Sequence, residues 1–192
     1  MPYDYTDAPP QLIPHGTIAT CVLHLRPGSV GEDGMLKRSK DGGCEMLDCE
    51  FTVADGPYKG RKWWGYMILT GTTAGHAQAA EISRGTLRAI IESNRGIKPD
   101  DTSPQARTAR TVSLKDFDNL AFIGKIGIEK GGAKSDGGGN YPDKNILLAV
   151  ITPDKKEWHP VEQPPPFNGG GGGAQAASPS AAPPIERPGW AS

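Results

Sequence analysis

From Pro164 onward the chain has almost nothing to bury. Pro164-Pro165-Pro166 leads into the run Gly169 to Gly173, then an Ala/Ser/Pro stretch, and closes on Ile185-Glu186-Arg187-Pro188-Gly189-Trp190-Ala191-Ser192. Gly- and Pro-rich chain of this kind gains too little apolar burial to offset the entropy of ordering it, so residues 161–192 are expected to form a disordered tail. Its tip differs: Ile185, Pro188 and Trp190 make an apolar end suited to capture by a partner protein. A fold must be built from what precedes the tail. About 160 residues suffice for one domain with a real core and are too few for two. Residues 1–15, rich in Pro and Asp, read as an extended arm, which leaves 16–160 as the domain.

Charge narrows the function. Lys and Arg number 21 against 22 Asp and Glu, for a formal net charge of -1, which excludes a general polyanion binder but not a local basic groove. No apolar run approaches the roughly 20 residues of a membrane span. Met1-Pro2-Tyr3-Asp4-Tyr5-Thr6-Asp7 has no basic or apolar leader character, so a cytoplasmic location without membrane contact is expected. Cys21, Cys44 and Cys49 form neither an even disulfide framework nor a CxxC pair. Cys44 and Cys49 with His24 suggest a partial zinc site that lacks an evident fourth ligand, so free thiols and no metal or cofactor are expected.

Periodicity then orders the elements. Thr17 to Arg26 reads as a strand stopped by Pro27-Gly28, and a polar loop follows over 31–43. Residues 44–54 and 61–69, joined by Asp55-Gly56-Pro57-Tyr58-Lys59-Gly60, read as an antiparallel hairpin. Between Gly75 and Asn94, Ala79, Ile82, Leu87, Ile90 and Ile91 fall roughly on one helical face, with Glu81, Arg84, Arg88 and Glu92 largely opposite and Gly96 as the stop. Residues 98–112 read as loop, Ser113 caps a short turn, and 121–129 and 144–152 are two further strands flanking a glycine-rich loop. Three strands, one helix and two strands is the order of a five-stranded OB-fold-like Greek-key barrel, and glycines 65, 124 and 127 supply bends such a barrel needs. An open α+β sheet covered by one helix has the same order and is the alternative.

Two short motifs then acquire a context. Asp55-Gly56-Pro57-Tyr58-Lys59-Gly60-Arg61-Lys62-Trp63-Trp64, and later Gly138-Gly139-Asn140-Tyr141-Pro142-Asp143-Lys144-Asn145, resemble a phage-encoded domain-of-unknown-function family regarded as OB-fold single-stranded DNA-binding proteins. The resemblance covers roughly residues 10–152 in element order and implies a role in DNA replication, recombination or repair. A compact domain with a floppy arm and a sticky end is also how such proteins recruit partners. Here the tip carries one Glu186 offset by Arg187, where bacterial relatives in function end in an acidic run.

The residues support that chemistry independently. Sequence-tolerant binding of single strands needs cations for phosphates and flat faces for bases. The hairpin's second strand offers both, Lys59, Arg61 and Lys62 beside Trp63, Trp64 and Tyr66. Alternation sends the two tryptophans to opposite sides, so one packs in the core and one is free to stack. Lys37, Arg38 and Lys40 in one loop, and Lys130, Lys134, Tyr141 and Lys144 in or beside the other, complete the candidate set. Such phosphate contacts predict steep salt dependence. Asp48 and Glu50 read as solvent-facing partners of basic neighbours. His15, His24, His76 and His159 are scattered and Gly131-Gly132-Ala133-Lys134-Ser135 lacks P-loop spacing, so no enzyme activity is expected. The competing expectation is a protein-protein adaptor with no nucleic-acid role. Either version leaves room for a homodimer through an exposed sheet edge.

Overall fold

A computed structural model describes residues 12–31, 33–134 and 138–162. Residues 1–11 of the extended arm fall outside them, as do residues 163–192 of the tail, Ile185, Pro188 and Trp190 among them. The strands are β1 (Thr17–Arg26), β2 (Leu36–Arg38), β3 (Cys44–Val53), β4 (Lys62–Gly71), β5 (Leu120–Glu129) and β6 (Lys144–Ile151). Two helices, α1 (Ala74–Arg95) and α2 (Pro104–Arg110), lie between β4 and β5.

The domain is mainly β: an open antiparallel sheet of six strands with one long helix. β3 is its centre. One edge of β3 pairs β1 from Asp48 to Val53 and then β2 from Glu45 to Leu47, while β4 runs along the other edge. β5 follows β1, and β6 follows β5. Among the described residues no ladder joins β4 to β6, so these strands are the sheet's edges. α1 packs against β4, β5 and β6 and so bridges the gap between them.

Local chemistry explains most boundaries. Thr73 caps α1 by accepting from the His76 N–H at 3.1 Å, and Gly96, at φ +66°, closes it in the left-handed conformation that a side chain disfavours. The Asp55 carboxylate accepts from the Thr20 N–H at 3.1 Å and the Thr20 hydroxyl at 2.5 Å, which pins the β3–β4 turn to β1. At Gly124 a Cβ would stand 2.9 Å from the Cys21 Sγ, so this glycine permits close strand contact beside the irregular register at Lys125/Ile126.

Three expectations need correction. The polar loop contains a sixth strand, β2, held by its register with β3, so Lys37 and Arg38 sit on a strand. Residues 98–112 are not simply loop, because Ser103 and Pro104 start α2 there, with Ser103 Oγ accepting from the Ala106 N–H. The inward face of α1 carries Ala80, Ser83, Leu87, Ile90 and Ile91, whereas Ile82 is exposed. Small residues at 80 and 83 let the helix approach the sheet, which turns Ile82 outward. Glu92 is buried on that helix because two arginines neutralise it.

The core centres on Phe51, stacked on Trp63 at 5.2 Å and edge-on to Phe122 at 6.3 Å. Leu23, Leu47, Ile90 and Ile126 pack around them. Buried Asn145 ties the chain's start to its last strand: its Oδ1 accepts from the Ile13 N–H, and its Nδ2 donates to the carbonyls of Ile13 and Gly127. Asn145→Ala strands these backbone groups, and a loss of about 1–3 kcal/mol is expected in urea unfolding. A smaller loss would mean that water replaces the amide.

Candidate functional site

Side-chain alternation along β4 divides its aromatics. Trp63 points inward and is 4% exposed, whereas Trp64 and Tyr66 lie on the outer face at 52% and 58%. Trp63 is thereby removed as a base-stacking candidate: it belongs to the core. The ladders continue the outer face across the sheet. Trp64 stands opposite Glu50 and Glu50 opposite His24, while Tyr66 stands opposite Asp48 and Asp48 opposite Arg26.

These rows are tied by ion pairs. Lys62 Nζ reaches Glu50 at 2.5 Å and Trp64 Nε1 donates to the same carboxylate at 3.1 Å, which fixes the indole edge-on to β3. The Lys62 hydrogen bond, before that of Trp64, holds the Glu50 carboxyl below the usual carboxylate range. Asp48 accepts from Arg26 at 2.7 Å and Lys37 at 3.2 Å. Both cations are held above their ordinary pKa, first by that hydrogen bond. Lys37 Nζ also lies 5.5 Å from the centre of the Tyr66 ring. The reading of Asp48 and Glu50 as partners of basic neighbours holds, but Asp48 is buried under Arg26 and Lys37 rather than facing solvent.

The outer face adjoins a depression at the open edge of the sheet. A cleft of about 270 Å³ between β4, α1 and β6 is lined by Trp64, Tyr66, Ile82, Glu129, Lys144 and Ile146, among others. A second of about 360 Å³ shares Glu129 and Lys144 and extends to Lys130, Gly131 and Tyr141. The shared pair, 3.0 Å apart, thus joins the Trp64–Tyr66 face to Tyr141, which is 57% exposed. Lys134 Nζ lies 5.8 Å from the Tyr141 ring centre. Lys130 pairs with Asp143 at 2.6 Å and, with the Gly131 N–H, holds that carboxyl below its usual range.

The remaining candidates are peripheral. Arg38 pairs with Glu45 at 2.7 Å at the far end of the β2–β3 ladder. Lys40 is exposed in the turn after β2, and Lys59 and Arg61 are exposed in the β3–β4 turn. Sequence reasoning missed Arg26, a member of the outer face, although the alternation of β1 carries the signal. Glu129 gives no such signal, because its place depends on β6. Burial pushes the Cys21 and Cys49 thiols up to about 12. Among the described residues no cluster of His, Cys, Asp and Glu is placed to hold a metal ion, and no helix is long and apolar enough to cross a membrane.

No family model, curated protein or solved structure matches this chain.

Proposed function

We propose that this protein binds single-stranded DNA along the outer face of β4 and the adjoining depression, acting in phage-type replication, recombination or repair. The observation that carries the reading is the exposure of Trp64 and Tyr66 two positions apart on one strand face, flanked by Lys62, Lys37 and Arg26. Successive bases stack on such faces without regard to sequence. Tyr141, beyond the Glu129–Lys144 pair, offers a third face for the same strand. The strand order β4-β3-β1-β5-β6, with the helices between β4 and β5, is that of an OB-fold Greek key without a β4–β6 ladder, which supports the OB reading. In this proposal the Trp190 tip recruits replication or recombination proteins.

Ion pairing changes the expected energetics. Lys37, Arg38, Lys62, Lys130 and Lys144 each face a carboxylate at 3.2 Å or less. Phosphates must displace those carboxylates, so stacking carries more of the affinity than counterion release does. With about three net phosphate contacts, the slope of log K against log salt is expected near −2, shallower than the sequence alone suggests. Fluorescence anisotropy of a labelled single strand across a salt series measures it, with the matching duplex as the control. Preference for the single strand supports the proposal, and equal affinity for the duplex removes it. The near-neutral face also favours a second reading, a protein-binding adaptor, which the absence of any oligonucleotide binding at low salt would select.

A further inference from the structure

The connection from α1 to β5 carries a cluster of cations that the proposed DNA face does not use. Buried Glu92 accepts from Arg88 Nε and from Arg110 Nε, both at 2.8 Å. Arg110 spends its other two nitrogens on the carbonyls of Asp101, at 2.7 Å, and Lys98, at 2.9 Å. Arg88 Nη2 donates to the Pro99 carbonyl at 2.9 Å. The backbone from 98 to 101 is thereby held rigidly against α1. Arg107 is different. Only its Nε is engaged among the described residues, with the Thr102 carbonyl at 3.1 Å, and the side chain is exposed at one wall of a pocket of about 400 Å³.

Arg88, Arg107, Arg110, Thr102 and Asp101 line that pocket. Three guanidiniums meet two carboxylates there, Asp101 and the Glu92 beneath, which leaves one positive charge in excess. The Asp101 carboxylate accepts from the Ser103 N–H at 2.9 Å. All three nitrogens of Arg110 are engaged in the strut, whereas two nitrogens of Arg107 and the outer nitrogen of Arg88 have no protein acceptor among the described residues and present N–H groups on a preorganised frame. Planar forks of N–H donors match the oxygens of a phosphoryl group, and an ordered guanidinium loses little entropy on binding it. The pocket is of small-ligand size, within roughly 300–1,000 Å³, so it has room for more than a bare ion.

We propose that this pocket is a binding site for a phosphate monoester, with Arg107 and Arg88 as the phosphate ligands and Arg110 and Glu92 as the residues that position them. The site is separate from the β4 face and stands whether or not that face binds DNA. Free phosphate shares the chemistry, and the two sources separate by experiment.

The test follows the arginine Nε–Hε resonances of the full-length protein during titration with adenosine monophosphate, adenosine, inorganic phosphate and, as an ionic-strength control, chloride. The nucleotide is expected to shift the Arg88 and Arg107 signals, and adenosine and chloride are not. Arg107→Ala is expected to weaken nucleotide binding about tenfold, the order of one lost charged hydrogen bond, at an unchanged melting temperature. Arg107→Lys should recover only part of that loss, because an ammonium cannot grip two oxygens. Inorganic phosphate shifting the same signals as strongly as the nucleotide would still support a phosphoryl site while identifying the free ion as sufficient. Absence of shifts with both phosphates, equal shifts with adenosine or chloride, or full binding by Arg107→Ala would overturn the proposal.

Discussion

Trp63→Ala is expected to destabilise the domain by about 3–5 kcal/mol, the range for deleting a large buried aromatic. Trp63 is 4% exposed and stacks on Phe51, its partner across the β3–β4 ladder, with ring planes 15° apart. Truncation removes that stacking and leaves a cavity beside the Phe51–Phe122 contact. The indole Nε1 has no hydrogen-bond partner among the described residues, so the loss is one of packing and burial. Trp63→Phe is therefore the informative companion: it keeps a ring on Phe51, removes an unpaired donor, and should cost far less. Guanidinium unfolding separates the two, with a shifted midpoint and unchanged slope marking a true stability change. Domains of this size have about 5–15 kcal/mol to lose, so the alanine variant should remain foldable in the cold. A loss under about 1 kcal/mol would place Trp63 outside the core.

The double variant Trp64→Ala/Tyr66→Ala should behave in the opposite way. Each side chain is more than half exposed, and substitutions at such sites stay within about 0.5 kcal/mol of wild-type stability. Binding should suffer instead. If each ring stacks one base, at about 1–3 kcal/mol per base, the double variant loses about 30-fold or more in affinity for a single strand. Trp64→Phe/Tyr66→Phe keeps both faces and should retain most of it, although Trp64 gives up its hydrogen bond to Glu50. Anisotropy with a labelled oligonucleotide reads both variants, and thermal melts confirm that they are folded. Full affinity in the alanine variant would remove the β4 face as the interface.

Strand and helix periodicity were legible because they are local. β1, the β3–β4 hairpin, α1, the Ser113 turn, β5 and β6 all lie where apolar spacing and turn residues place them. β2 was not legible, because three residues are too few to show alternation and only their pairing with Glu45, Met46 and Leu47 makes them a strand. α2 is also too short for periodicity, yet Ser103-Pro104 is a cap signal that could have announced it. The split of Trp63 from Trp64 was forced by alternation, but which one faces inward depends on Phe51 across the ladder. Charge was the least legible quantity. Asp48 and Glu50 could be read as partners of basic neighbours, but which cations they hold, and that Asp48 is buried beneath Arg26 and Lys37, follow only from register. The expected tail rests on composition alone, and from residue 163 onward it lies outside the described residues.

The placement of the helices between β4 and β5 divides the sheet into two halves of different reach along the chain. β1, β3 and β4 pair with near neighbours, and β5 pairs with β6 across a short connection, but among the described residues the only ladder joining the two groups is that of β1 with β5, where Cys21 pairs with Phe122. Contacts so distant in sequence are made after local ones, because the intervening loop must be closed before they reward it. The β1–β5 ladder is thus expected to be a seam that zips late. Trp64 and Tyr66 stand on one side of it, and Lys144 and Tyr141 on the other. The depression exists only in the zipped state. A ligand that touches both walls would hold the seam shut, so occupancy and completed folding become one equilibrium.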